Sequence, residues 1–338
     1  MELVEVSFPG VGIESFTLNK VAFDVFGLEV RWYGILIMLG IVFAFGYSMF
    51  RSKQEGLSYD DVLDLGLYIV VAGVLGARLY YVFSKPGEYF GGDQSFWQML
   101  GGMFNIRNGG LAIYGGIIAG VITILVWCHF KKKDWRRVMD MVGPGVMMAQ
   151  AIGRWGNFFN GEAHGGIVAE GSPLYFLRMG LAHYDKTGTF MSKMYYYHPT
   201  FLYESLWNIL GFVLINAVLH RRKKFNGQMA LTYLAWYGFG RMFIEGLRTD
   251  SLYLGGGSDG IRVSQLVGFL SFVICTGLIV YMLIRVHKQE KTGEYVPVFT
   301  SVMSKAAEEK EEKKDMTDTK VEQDQDTSKE EQNDGNSD

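Results

Sequence analysis

The chain has 338 residues, of which 49% are apolar and 15% aromatic, and its formal net charge is −3. The apolar residues form several runs long enough to cross a bilayer, which excludes a soluble protein and indicates a polytopic membrane protein. The two cysteines, Cys128 and Cys275, lie far apart inside apolar runs, so neither a disulfide framework nor a metal-ligand spacing is available. We expect no cofactor.

The net charge conceals two unlike parts of the chain. Residues 303 to 338 contain six Lys against thirteen Asp and Glu, a net charge of −7, which leaves about +4 on residues 1 to 302. The acidic part has almost no large apolar residues and cannot build a core. We therefore predict a membrane domain at residues 1–290 and a disordered acidic tail at residues 291–338.

Seven apolar segments predict an all-α fold with seven transmembrane helices, since each is near the ~20 residues that a spanning helix needs. Dense Lys and Arg clusters occur in the connections "FRSKQ", "FKKKDWRR", "HRRKK" and "RVHKQEK", which fall on one side of a seven-helix path. The positive-inside rule makes that side cytoplasmic, which places the N-terminus outside and the tail inside. The predicted helices cover residues 31–50, 61–83, 110–130, 138–158, 200–220, 228–246 and 263–285.

Several charged residues lie inside these predicted helices. An arginine near the bilayer core costs about 2.5 to 3.5 kcal/mol, so such residues usually face a cavity or a partner. On helix six, Tyr237, Arg241 and Glu245 have i, i+4, i+8 spacing and share one face, which Arg248 extends outward. A merely structural ion pair between Arg241 and Glu245 explains the same spacing, and Arg78 and Glu204 on other helices are open to the same interpretation.

Arg154, near the outer end of helix four, is different because no acidic residue lies three or four positions from it. It belongs to the stretch "GRWGNFFNGE", which ends an apolar run and enters the longest external connection. Together with Arg241 it would present two guanidinium groups to one anion, and guanidinium matches phosphate oxygens in bidentate geometry. A site at this position would receive its ligand from outside.

Glycines are frequent where helix three begins, in "NGGLAIYGGIIAG". Gly116 and Gly120 have the small-xxx-small spacing that lets a neighbouring helix approach closely. Tyr114, between two glycine pairs, points either into the same cavity or toward the membrane interface. Two other short motifs, "DKTGT" at residues 185–189 and "GGGSDG" at residues 255–260, lack the domains that phosphorylation and dinucleotide binding require, so we interpret both as turns.

The stretch "GRWGNFFNGEAHGG" resembles the signature of the prolipoprotein diacylglyceryl transferases of bacterial membranes. The resemblance runs through the membrane body up to about residue 290, and it implies that residues 1–290 form a catalytic domain in the bacterial plasma membrane. Its supporting matches are "RWYGILIMLG" with Tyr33, "LGARLYYV" with Arg78, "GGLAIYGG", "HPTFLYE" with Glu204, and "YGFGRMFIEGLR" with Tyr237, Arg241, Glu245 and Arg248.

The resemblance implies transfer of the sn-1,2-diacylglyceryl group from phosphatidylglycerol to the thiol of the lipobox cysteine in a prolipoprotein. A thioether forms and glycerol phosphate leaves. The implied partners are phosphatidylglycerol, the lipobox segment and membrane lipids, with no nucleic acid. Arg154 and Arg241 would bind the headgroup and stabilise the departing phosphate, and Asn157 and Glu162 would orient groups around it. The implied catalytic set also includes Tyr33, Tyr237, Glu245 and Tyr114, and the substrate-binding set adds Arg78, Asn160, Gly165, Glu204 and Arg248.

The sequence departs from this family at Tyr114, where many members have a histidine proposed as the general base, so the base stays unassigned. The main alternative is an anion or lipid transporter with a site built from Arg154 and Arg241. The chain shows no internal repeat of the kind that transporters often have, and its charged residues lean toward the outer leaflet. A purely structural membrane subunit leaves the cluster of Arg, Asn and Glu at the end of helix four unexplained.

Overall fold

A computed structural model describes residues 3–90, 95–105, 109–184, 193–254 and 260–298, without the side chains of Phe96 and Gln98. Each predicted apolar segment corresponds to one long helix. These are α1 (Trp32–Ser52), α2 (Tyr59–Ser84), α5 (Ile113–Lys131), α6 (Trp135–Asn160), α7 (Thr200–Leu214), α8 (Gln228–Leu247) and α9 (Val263–Thr292). Two short helices, α3 (Pro86–Tyr89) and α4 (Phe96–Phe104), lie in the connection that follows α2.

Five helices in the described part of the chain are long and apolar enough to cross a membrane, namely α1, α2, α5, α7 and α9, where α1 and α7 are counted with the short helical turns that continue them. The chain is therefore a mostly helical membrane protein. The helices α6 and α8 fall short of this apolar content because they carry polar residues such as Arg154 and Arg241. These two helices also occupy the middle of the bundle, where α6 packs against α1, α7 and α8, and α8 packs against α9.

Glycines allow the helices α2 and α5 to approach closely. A Cβ atom on Gly115 of α5 would lie 2.3 Å from the carbonyl oxygen of Gly76 on α2. The predicted contact at Gly116 is confirmed, since a Cβ there would lie 3.4 Å from the carbonyl oxygen of Gly73. The predicted contact at Gly120 is wrong, because nothing lies within 4 Å of a Cβ there and Ala119 faces α2 at that turn instead.

The expectation of an all-α chain is also wrong, because the N-terminal segment before α1 and the connection between α6 and α7 form β-strands. The strands β1 (Leu3–Phe8), β2 (Ile13–Asn19), β5 (Met179–His183) and β6 (Tyr195–Tyr197) form an antiparallel sheet in the order β2-β1-β5-β6, and β3 (Val21–Val25) pairs with β4 (Leu28–Arg31). The physical reason is packing between segments that are distant in the sequence. Val4 and Val6 of β1 and Leu181 of β5 bury their side chains together. They pack against Phe158 of α6 and Phe201 of α7. The sheet therefore covers the end of the bundle at which α6 ends and α7 begins.

The opposite end of the bundle is held by ion pairs. Lys223 is fully buried, and its Nζ lies 2.5 Å from Glu55 and 2.8 Å from Asp140. Asp140 also accepts the backbone N–H groups of Gly227 and Ala230 at 2.7 and 2.9 Å, which fixes the start of α8. The connections that carry the Lys and Arg clusters thus meet at one end, distant from the sheet.

Three sequence features fall partly or wholly outside the described residues. "DKTGT" at residues 185–189, most of "GGGSDG" at residues 255–260, and the acidic tail from residue 299 onward belong to this group. Within the described part, the Tyr295 hydroxyl donates to the carbonyl oxygen of Lys224 at 3.1 Å, so the chain still contacts the bundle after α9 ends. The domain boundary at residue 290 and the disorder of the tail remain predictions.

Candidate active site

The end of α6 folds back on itself and groups its polar residues. Gly161 ends the helix with a positive φ of 61°, a conformation that favours glycine, and its N–H points at the carbonyl oxygens of the last turn. The next residue, Glu162, consequently lies over the helix end. Its Oε1 accepts from the Asn160 side chain at 3.0 Å and from the Asn157 side chain at 3.4 Å. The signature stretch is therefore one connected polar cluster.

Arg154 joins this cluster to the neighbouring helices. Its Nη1 donates to Asn157 Oδ1 at 3.4 Å, and its Nη2 lies 2.6 Å from Glu204 Oε1 on α7. The other oxygen of Glu204 lies 2.8 Å from Arg241 Nη1 on α8, and Arg241 Nη2 lies 2.6 Å from Glu245 Oε2. The side chains of Glu204, Arg241 and Arg154 are 3%, 13% and 20% exposed. Two guanidinium groups from different helices thus converge on one carboxylate.

The structure confirms that Tyr237, Arg241 and Glu245 share one face of α8. Arg241 and Glu245 form the i, i+4 ion pair, and the Tyr237 hydroxyl lies 3.4 Å from Glu204 Oε1. The two arginines and the two glutamates that they contact carry no net charge together. Each guanidinium has five N–H donors, so both can bind an anion beyond these contacts.

Tyr33, at the start of α1, packs directly on the signature helix. A Cβ atom on Gly156 would lie 2.5 Å from Cδ2 of the Tyr33 ring. Only glycine leaves room for the ring at this distance. Because Gly156 is two residues after Arg154, this contact places Tyr33 beside the part of α6 that carries Arg154.

Arg78 belongs to a different cluster from Arg154 and Arg241. It donates to the carbonyl oxygens of Met103, Gly102, Gly109 and Gly110 at 2.7 to 2.9 Å, and to the Tyr89 hydroxyl at 3.2 Å. These bonds tie α4 and the segment after it to α2. A structural role accounts for all of them.

Arg248 and Gly165 lie where the connection after α6 meets the end of α8. Arg248 forms a two-pronged ion pair with Asp250, with distances of 2.9 and 2.6 Å. Burial raises the pKa of Asp250, but its hydrogen bonds and charge contact with Arg248 outweigh this and hold the pKa below its usual range. Gly165 donates its N–H to the His198 carbonyl at 2.9 Å, and a Cβ on it would lie 2.7 Å from His198 Cβ. Both residues thus stabilise the junction between the connection after α6 and the end of α8.

Tyr114 lies near the arginine pair without touching it in the contacts that the structure describes. Its hydroxyl is 3.3 Å from Ser264 Oγ at the start of α9. One turn further along α9, a Cβ on Gly268 would lie 3.3 Å from Cβ of Arg241. Tyr114 and Arg241 thus contact α9 at positions one helical turn apart.

Three polar residues that sequence reasoning missed lie one helical turn below the layer formed by Arg154, Glu204 and Tyr237. Gln150, Asn208 and Tyr233 are each four residues from Arg154, Glu204 and Tyr237, and that i, i+4 spacing was the available signal. Asn208 is fully buried, and neither its Nδ2 nor its Oδ1 has a hydrogen-bond partner.

The described part of the chain contains no group of three or more His, Cys, Asp or Glu side chains that would hold a metal ion.

An apolar cleft of about 290 Å³ lies between α7, α8 and α9. Its wall is built on a stacked pair of indole rings, Trp207 and Trp236, with centroids 4.3 Å apart. Each indole N–H donates to the carbonyl oxygen of the other residue at 2.9 Å, which fixes both rings. Since Trp207 is three residues from Glu204, the cleft adjoins the arginine site along α7.

Comparison with known proteins agrees with this arrangement. The model of the prolipoprotein diacylglyceryl transferase family matches residues 20–281. A phosphatidylglycerol–prolipoprotein diacylglyceryl transferase of Clostridium perfringens is 42% identical over 275 residues, which is 81% of this chain and 98% of the relative. An enzyme of the same name from Clostridium novyi is 41% identical over 78% of this chain and 95% of its own length. Another from Clostridium botulinum is 39% identical over 81% of this chain and 99% of its own length. The chain therefore belongs to the prolipoprotein diacylglyceryl transferase family.

Proposed function

We propose that this chain transfers the diacylglyceryl group of phosphatidylglycerol to the lipobox cysteine thiol of a prolipoprotein, at the site formed by Arg154, Glu204 and Arg241. Family membership supports a transferase that acts on these two substrates. The observation that carries the location is the convergence of two guanidinium groups on one carboxylate. A site that holds a carboxylate between two arginines also suits a singly charged phosphodiester.

The chemistry requires a thiol to displace a phosphate. The cysteine sulfur attacks the terminal glycerol carbon, a C–S bond forms, and the C–O bond to the phosphate breaks. The bonding electrons leave with glycerol phosphate, which therefore gains negative charge in the transition state. Arg154 and Arg241 stabilise that charge, because donors fixed in a site that excludes water act more strongly than in solution. The thiol proton leaves to a base that is not assigned.

The remaining residues of the cluster position these arginines. Asn157 and Glu162 hold Arg154 from the side of α6, while Glu204 and Glu245 hold Arg241 and leave its fork in one orientation. Tyr237 contacts Glu204 from the same face of α8. Tyr33, packed on Gly156, fills the wall beside them, and Asn160 fixes Glu162. Arg78, Gly165, Arg248 and Tyr114 support the fold around the site in this proposal.

A seven-span topology with the arginine site in the outer half of the bilayer suits this function. Phosphatidylglycerol and an exported prolipoprotein would both reach such a site from the outer leaflet of the bacterial plasma membrane. The Lys and Arg clusters support the orientation, because they lie at the end of the bundle opposite the sheet and the positive-inside rule makes that end cytoplasmic. The apolar cleft beside Glu204 is suited to an acyl chain.

Mass spectrometry of a lipobox peptide tests the proposal directly. Purified protein, phosphatidylglycerol and the peptide should yield a diacylglyceryl thioether on the cysteine. Arg154→Lys keeps the charge but loses the planar fork, so it should reduce the rate by about 100-fold. Arg136→Lys is the matched control, because Arg136 is half-exposed at the other end of α6 and pairs only with Asp134 in the described contacts. Absence of any adduct from a folded wild-type protein that binds the lipid would favour the transporter alternative.

A further inference from the structure

Asn208 presents an unsatisfied amide in the interior of the bundle. Its side chain is fully buried on α7, and both its nitrogen and its oxygen lack a hydrogen-bond partner. A buried polar group without a partner costs about 1 to 3 kcal/mol, and such groups are rare in folded proteins. A leucine at this position would fill the same space without that cost. The unpaired amide of Asn208 therefore points to a ligand that hydrogen-bonds it.

The position of Asn208 is fixed by its neighbours along α7. Four residues before it, Glu204 contacts Arg154 of α6. Three residues after it, a Cβ on Gly211 would lie 2.5 Å from Cε of Met147 on the same helix α6. Asn208 therefore faces the stretch of α6 between these two residues, which contains Gln150.

Gln150 and Tyr233 complete this layer from α6 and α8. Gln150 Oε1 is buried and lacks a hydrogen-bond partner, and the Tyr233 hydroxyl lies beside that amide. The ring of Tyr233 lies beside the ring of Tyr237 in a tilted arrangement, with centroids 6.2 Å apart, and Tyr233 packs against the buried cluster of Met147, Ile215 and Met229. The three polar residues thus form one layer, a single helical turn from Arg154, Glu204 and Tyr237.

The chemistry of the layer selects a class of ligand. Two amides and a phenol are neutral, so the layer offers nothing that would compensate an ammonium or a carboxylate group. Its unpaired atoms include two amide oxygens, which accept, and one amide nitrogen, which donates. A hydroxyl group satisfies both kinds of atom, whereas an ester carbonyl only accepts. A ligand with vicinal hydroxyl groups beside a phosphate matches both this layer and the arginine pair.

We propose that Gln150, Asn208 and Tyr233 bind the hydroxyl groups of the glycerol headgroup of phosphatidylglycerol and so determine headgroup specificity. This inference rests on the proposed function of the arginine site, which would hold the adjoining phosphate. A site built to hydrogen-bond a substrate hydroxyl discriminates strongly against an analogue without it, because the protein groups are then left unpaired.

The test compares two donor lipids with the same acyl chains. Phosphatidylglycerol carries the two headgroup hydroxyls, and phosphatidylpropanol has a propyl group in their place. The wild-type protein should prefer phosphatidylglycerol by about tenfold or more in kcat/KM. Asn208→Leu, which keeps the side-chain shape, should lose about tenfold with phosphatidylglycerol and leave the value for phosphatidylpropanol within about twofold. The preference between the lipids therefore collapses in the variant.

A second measurement separates substrate binding from stability. Removing an unpaired buried amide should leave the unfolding temperature of Asn208→Leu equal to or above that of the wild type. Gln150→Met is the second variant, in case leucine at 208 prevents folding, and it should reduce the preference in the same direction. Ser48→Ala is the matched control, because Ser48 is a buried polar residue distant from the site that donates to the Ala44 carbonyl at 2.8 Å.

Three outcomes would overturn the inference. Equal use of both lipids by the wild type would show that the headgroup hydroxyls are not recognised. An equal loss with both lipids in Asn208→Leu and Gln150→Met would assign the layer to structural water or to the ester groups. An unchanged preference in both variants would remove the layer from substrate recognition. In contrast, failure of the wild type to form any thioether would reject the proposed function itself.

Discussion

Arg154 and Arg241 lie on different helices and share the two oxygens of one carboxylate. The oxygens of Glu204 are 2.6 Å from Arg154 and 2.8 Å from Arg241, and the carboxylate is almost completely buried. Without this carboxylate, the positive charges of Arg154 and Arg241 would repel each other. Glu204 therefore fixes the distance and the orientation between the two guanidinium groups.

Replacing Glu204 by glutamine should separate positioning from binding. The isosteric amide retains one acceptor but loses the charge that holds both arginines. We expect kcat to fall by about tenfold or more, because transition-state stabilisation depends on orientation, while KM for phosphatidylglycerol does not rise. The partial loss of a buried ion pair should also lower the free energy of unfolding by up to about 3 kcal/mol. Steady-state kinetics and thermal unfolding in detergent provide both values.

Glu88→Gln is the matched control for Glu204. Glu88 pairs with Lys85 at 2.9 Å, but both side chains are about half exposed. An exposed pair of this kind contributes about 0 to 1 kcal/mol, so activity and stability should stay near wild type. A higher KM with an unchanged kcat in Glu204→Gln would instead show that Glu204 binds the lipid itself.

Gly156→Ala should disturb Tyr33 and the site together. The added methyl group would lie 2.5 Å from the Tyr33 ring, so either the ring or α1 must move. Overpacking of this kind costs about 1 to 3 kcal/mol, and we expect a lower unfolding temperature and a fall in transferase activity of at least about tenfold. Gly153→Ala, on the same helix, has nothing within 4 Å of the new Cβ. Equal activities of the two variants would show that Tyr33 has no role in the site.

Gly115→Ala should weaken the contact between α2 and α5. The new Cβ would lie 2.3 Å from the carbonyl oxygen of Gly76, and backbone cannot yield without moving the helices apart. We expect a loss of about 1 to 3 kcal/mol in thermal or denaturant unfolding. Gly120→Ala on the same helix meets no atom within 4 Å and should unfold at the wild-type temperature. Identical behaviour of the two variants would argue against close packing at Gly115.

Local patterns in the sequence predicted the helices and one ion pair. Helix periodicity placed Arg241 and Glu245 on one face, and the structure joins them at 2.6 Å. Both residues lie on the same helix, so spacing alone determines whether they meet. The seven apolar segments likewise correspond to helices because each depends on its own composition.

Contacts between distant segments could not be predicted in the same way. The bridge from Arg154 to Arg241 runs through Glu204, fifty residues from one and thirty-seven from the other. The pairing of β1 with β5 joins residues as far apart as Val4 and His183. Nothing in either segment identifies its partner, although the alternation in "LVEVSF" is typical of a strand. The spacing of Gly116 and Gly120 predicts a helix contact at both positions, but spacing does not say which side of α5 faces α2.

His198 should make the stability of the protein depend on pH. It lies just before α7, and burial lowers the pKa of its imidazole below the usual value of 6.5. The folded state therefore binds fewer protons than the unfolded state at this residue. Its contribution to stability is complete above about pH 6.5 and is lost as the pH falls toward the folded-state pKa. We expect His198→Gln to lose less in unfolding temperature between pH 7 and pH 5 than the wild type does. His287→Gln, whose parent side chain is 65% exposed, should follow the wild-type curve, and parallel curves for all three proteins would contradict this role for His198.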